Sequence, residues 1–112
     1  MASEELLYGD TLKAVEQGDN HAKTKLAWYL LSGFGGAEID EDKAVVLLEE
    51  RVKDEDSEAM WMLGVCNEFG LGTEQNENRA EILYQQSFEE GNLIGKRLSH
   101  PRENGKLRRI GL

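Results

Sequence analysis

The chain has 112 residues, of which 39% are hydrophobic and 31% charged, and its formal net charge is −9. That length suits one domain that buries about two thirds of its unfolded surface. No apolar run approaches the roughly 20 residues of a membrane helix, and "MASEELLYGD" is too acidic for a signal peptide. The single cysteine, Cys66, has no internal disulfide partner, so a folded, cytoplasmic, non-membrane protein is expected.

The charge is unevenly placed. Residues 1–95 carry 7 Lys/Arg against 21 Asp/Glu, giving −14, whereas residues 96–112 carry 6 against 1, giving +5. An acidic body argues against phosphate-backbone binding, so no nucleic-acid partner is expected.

In chain order, a first helix is predicted over Glu4–Gln17, with Gly18 placed to close it in a left-handed conformation. Ala22, Leu26, Tyr29 and Leu30 then fall on one face at helical spacing, up to a break at Gly33-Phe34-Gly35. Asp40 is placed to cap the next helix, whose apolar stripe is Ala44, Leu47, Leu48 and Val52, with Glu41 and Asp42 suiting its dipole. The plan then repeats. Ala59, Leu63, Cys66 and Gly70 form a stripe, Gly70-Leu71-Gly72 a break, and Asn76 a cap before Ala80, Leu83, Tyr84 and Phe88. Gly91 closes this second helix as Gly18 closes the first. Glu55 stands at the corresponding middle position, where a different closure is expected. "LIGKRLSH" starts one more helix, which Pro101 cuts short.

Alignment of the two copies is direct. Ala22 matches Ala59, Leu26 matches Leu63 and Ala27 matches Gly64 at an offset of 37; after one extra residue in the first copy, Ala44 matches Ala80 at 36. Each unit therefore reads as a helix hairpin, joined through a glycine loop, with Ala27 or Gly64 allowing the two backbones to approach. Such pairs cannot bury their faces alone and must stack. About five helices are expected: a half repeat at 3–20, full repeats at 21–57 and 58–93, and a partial repeat at 94–100, so that residues 1–98 form a helical domain and 101–112 a basic tail or cap.

The pattern A-x3-L-G, G-x-G, K/R-A and a closing glycine resembles the Sel1-like repeat, a relative of the tetratricopeptide repeat. The second copy carries it most fully, through Ala59, Leu63, Gly64, Gly70, Gly72, Arg79, Ala80, Leu83, Tyr84 and Gly91. Asn67, Thr73, Glu55 and the extra residue near Ala37 depart from it. The resemblance implies an all-α fold, a short right-handed α-solenoid of stacked antiparallel helix hairpins.

A search for chemistry finds none. Cys66 lies on the stripe that the hairpin buries. His21 and His100 stand far apart, without further ligands at zinc spacing. "DEDSEAMWMLGV" has Ala59 where a calcium loop needs glycine and Val65 where it needs glutamate. "GFGG" follows a helix pattern and lacks the Lys-Ser/Thr of a phosphate loop. No enzyme, metal or cofactor is expected.

Binding is the better reading. In solenoids of this kind the first helix of each hairpin lines the concave face. This implies a stripe of His21, Thr24, Trp28, Leu31 and Ser32, continued by Glu58, Trp61, Val65, Glu68 and Phe69, and then by Ile94 and Arg97. The expected partner is a protein or peptide held in that groove, with Trp28 and Trp61 as either anchors or inter-repeat packing. The chain would act as a non-catalytic adaptor or scaffold. The alternatives are a self-associating building block, a homo-oligomer through open repeat ends, and a small hydrolase. The basic end, with Leu107 and Ile110 among Lys106, Arg108 and Arg109, reads as a solvated tail, a recruiting sequence or a short amphipathic cap.

Overall fold

A computed structural model describes residues 4–99, 102–103 and 106–107. Helices α1 (Glu4–Glu16), α2 (Ala22–Ser32), α3 (Glu41–Lys53), α4 (Ser57–Phe69) and α5 (Glu77–Glu89) are followed by the six-residue α6 (Leu93–Leu98). The five expected helices and the truncated start of another are all present. Arg102–Glu103 pairs antiparallel with Lys106–Leu107, so the backbone there is extended and not a helical cap. The remainder of the basic end lies outside the described residues.

Each helix packs on the next in sequence, and α2 also touches α4 as α4 touches α6. Among the described residues, the α1, α3 and α5 backbones make no such mutual approach. The first helices therefore form the tighter, inner row of the stack. The outer row is bridged instead by long side chains, with the Arg79 guanidinium of α5 paired to Glu49 of α3.

Both hairpins close in the same way. Gly33 and Gly70 end α2 and α4 with φ of 77° and 72°. The amides of Asp40 and Asn76 then donate to the carbonyls of Leu30 (2.9 Å) and Asn67 (2.7 Å), latching each following helix to the one before it. The Asp40 and Asn76 side chains accept from the amides of Lys43 and Arg79, as their caps require. The extra residue of the first copy is absorbed in a 3-10 turn, Phe34–Gly36, that packs against α1.

Between the helices of each hairpin, volume is matched pairwise. A Cβ on Gly64 would lie 2.5 Å from Cε1 of the buried Tyr84 ring, so the close approach made here is ring on helix, not backbone on backbone. In the first copy the corresponding residues are Ala27 and Leu48, both fully buried in the same core cluster. A larger partner on the second helix goes with a smaller one on the first.

The junctions between units also repeat. Oδ1 of Asp19 accepts from the amides of His21 (3.0 Å) and Ala22 (3.3 Å). Oδ1 of Asp56 does the same for Glu58 (3.0 Å) and Ala59 (3.3 Å), and that of Asn92 for Ile94 (2.9 Å) and Gly95 (3.3 Å). The residue before each cap is left-handed: Gly18 at φ 93°, Glu55 at 60° and Gly91 at 88°. The expectation that Glu55 closes its turn differently is therefore corrected, because identical hydrogen bonding on either side imposes the same backbone. A side chain in that conformation costs roughly 1–2 kcal/mol. Glu55→Gly should raise stability by roughly 0.5–1 kcal/mol after the entropy of the freer unfolded chain is deducted, as a higher urea midpoint at unchanged slope.

Candidate functional site: an acidic cleft on the inner row

At the α3–α4 junction, α2 and the start of α4 enclose a cleft of about 660 Å³ lined by His21, Thr24, Lys25, Trp28, Arg51, Asp54, Glu55, Asp56 and Glu58. Four of the expected groove residues, His21, Thr24, Trp28 and Glu58, meet here. The others lie elsewhere: Leu31 and Trp61 are half-buried against the core, Val65 is half-buried, and Phe69 and Arg97 are exposed on α4 and α6.

The floor of the cleft is a charged clasp. Oδ2 of Asp56 accepts from the Thr24 hydroxyl (2.6 Å) and from Nε of Arg51 (3.3 Å), while Nη1 of Arg51 reaches Asp54 at 3.1 Å. Arg51 is buried, at 6% exposure. Burial by itself would raise the Asp56 pKa. The Thr24 hydroxyl, the amides of Ala59 and Glu58 and the Arg51 charge together outweigh that and hold it below the usual aspartate range. Thr24 lines the cleft at only 4% exposure and fastens α2 to the α3–α4 junction through its bond to Asp56.

Glu68 is 6% exposed and accepts at 2.7 Å from the Tyr84 hydroxyl, a bond that ties the two helices of its hairpin together. Trp61 occupies the place in its repeat that Thr24 has in the first, and its buried indole N–H has no hydrogen-bond partner among the described residues. Trp28 differs. It is 40% exposed, and its ring stacks on that of exposed Phe34 with centroids 6.4 Å apart and an interplanar angle of 22°.

Arg51, Asp54, Glu55, Asp56 and Lys25 were not foreseen as cleft residues. A signal existed in the alignment of Asp19, Asp56 and Asn92, which identifies "KDEDSE" as a repeat junction and sets it beside the preceding first helix.

Cys66 lies in the core at 0% exposure. Burial, with a smaller push from the Glu41 carboxylate, raises its pKa to about 11. A thiol whose folded pKa exceeds its unfolded one stabilises the fold below the unfolded value and loses that contribution as pH rises through about 11. Alkylation by iodoacetamide at neutral pH should be negligible in the native protein and follow unfolding in urea; fast labelling without urea would contradict this. Among the described residues no cluster of three or more His, Cys, Asp or Glu is placed to hold a metal. No described helix is long and apolar enough to cross a membrane.

A stack of latched helix hairpins with a cleft on its inner row is a helical-repeat solenoid. More specifically, the chain belongs to the Sel1 repeat family, whose model matches residues 20–50 and 57–92. Sel1 repeats generally mediate protein interactions and are generally of a non-catalytic scaffold type. Two solved structures are similar in fold. One is a Sel1 repeat protein from Oxalobacter formigenes, 23% identical with a TM-score of 0.75, covering 88% of this chain and 39% of that one. The other is c5321, a protective antigen of uropathogenic Escherichia coli displaying an SLR fold, 23% identical with a TM-score of 0.69, covering 85% of this chain and 20% of that one. The chain thus spans well under half of either. No curated protein matches it.

Proposed function

We propose that this chain is an adaptor or scaffold that holds a peptide or an extended partner segment on its inner helical row, centred on Trp28 and the cleft beside it. The observation that carries this reading is the exposed Trp28–Phe34 aromatic pair at the rim of a cleft with a polar lining, an arrangement typical of interface anchors. His21 and Glu58 are surface contacts in this reading; Phe69 and Arg97 extend the row, while Trp61, Val65 and Leu31 support it from below. Capture from native lysate tests it. Wild type should enrich a partner that Trp28→Ala, verified as helical by circular dichroism, fails to retain. Equal capture by both would move the working surface elsewhere.

Self-association through a repeat end is a second reading, favoured by one observation. On the last hairpin and α6, Phe88, Leu93 and Ile94 are 39%, 71% and 46% exposed. Sedimentation across a concentration series decides it, since a constant monomer mass removes it.

A further inference from the structure

The cleft holds more than the fold requires. Among the described residues, its carboxylates, Asp54, Glu55, Asp56 and Glu58, share the lining with two cations, Lys25 and Arg51. One of the two cations is already paired. Arg51 is held by Asp54 and Asp56 at 3.1 and 3.3 Å, and the Lys25 ammonium lies 6.0 Å from the Tyr29 ring centroid. Glu55 and Glu58 are exposed and form no ion pair among the described residues. Glu55, moreover, occupies a left-handed position where both equivalent junctions have glycine, so its side chain is kept there against the backbone's preference. Beside these carboxylates the Trp28 indole is 40% exposed. An exposed indole next to uncompensated carboxylates is the pairing that attracts a cation, through the ring quadrupole and through charge.

We infer that the cleft receives a lysine or arginine side chain from an extended basic peptide segment of a partner protein, its cation against Trp28 and paired with Glu55 and Glu58. This rests on the reading of the inner row as a peptide-binding surface and specifies its ligand. Charge complementarity extends beyond the cleft, because residues 1–95 carry −14 and draw a basic segment in at long range. A volume of about 660 Å³ accommodates a long side chain with its flanking backbone.

The test is a selection of displayed random peptides on the full chain, followed by calorimetric titration of the recovered peptides. The titrations compare wild type, Trp28→Ala and the double variant Glu55→Gln/Glu58→Gln, each verified as helical. Recovered peptides should share a lysine or arginine whose replacement by glutamine weakens binding about fivefold or more. The double variant should weaken the same peptides and reduce their salt dependence. Neutral or acidic peptides that still need Trp28 would overturn the cationic ligand and leave the peptide-binding surface standing. Peptides insensitive to Trp28→Ala would overturn both. Peptides that dissociate a dimer of the full chain would show the occupant to be the basic end of a second copy, which also overturns the partner assignment.

Discussion

Asp56→Ala should lower the unfolding free energy by roughly 3 kcal/mol, because one side chain performs three tasks. Its Oδ1 caps α4, and its Oδ2 joins Thr24 of α2 to Arg51 of α3. Loss of a cap costs about 1 kcal/mol and loss of a charged hydrogen bond about 1.5–3. The buried Arg51 would keep only the more exposed Asp54. Asp56→Asn retains an acceptor for the cap and should recover about 1 kcal/mol of the deficit. The pH dependence has a definite sign. The folded pKa of Asp56 is depressed, so its contribution is complete above the ordinary aspartate value near 3.9 and is lost as pH falls through the folded one. The gap between wild type and Asp56→Asn in urea melts should accordingly be constant at neutral pH and close in strong acid. A gap that persists in strong acid would mean that the carboxylate charge is not what holds α2, α3 and the start of α4 together.

Gly64→Ala should destabilise by about 1–2 kcal/mol, although alanine is the better helix former by about 1 kcal/mol. The new Cβ would stand 2.5 Å from Cε1 and 2.7 Å from Cδ1 of Tyr84, a ring fixed by its hydrogen bond to Glu68. The first repeat shows how to relieve the clash, since Ala27 there faces a unit whose corresponding residue is Leu48. Gly64→Ala combined with Tyr84→Leu should therefore lose less stability than the two single changes summed, by about 1 kcal/mol or more. Additive losses would show that the two sites are not matched in volume.

Much of this architecture is legible in one sequence because its signals are local. Asp40 and Asn76, each followed by acidic residues and a helical stripe, mark helix starts wherever the tertiary structure places them. The two glycine breaks mark hairpins for the same reason. The site was less legible. Helical spacing gives the direction of Thr24, Trp61 and Glu68 around α2 and α4. It does not give depth, which depends on what the neighbouring unit sets against them. Thr24 is covered by the next junction, and Glu68 is reached by Tyr84 from the second helix. At Glu55 residue preference is a poor guide to conformation, because the hydrogen bonds on either side leave its backbone no alternative.

That departure at Glu55 bears on binding valency. Repeat stacks are natural multivalent surfaces, since every unit presents the same positions at a regular spacing. Here the three junctions share a backbone but not their furnishings. Gly18 and Gly91 offer no side chain where Glu55 offers a carboxylate. The Arg51–Asp56–Thr24 set, moreover, is replaced around α6 by Ser87, Asn92 and Trp61, with Ser87 bonded to the Ser57 carbonyl. Among the described residues, the junction between the two full repeats thus differs in its side chains from the other two, and a ligand recognised by Glu55 and Arg51 together would meet that set at one junction of the three.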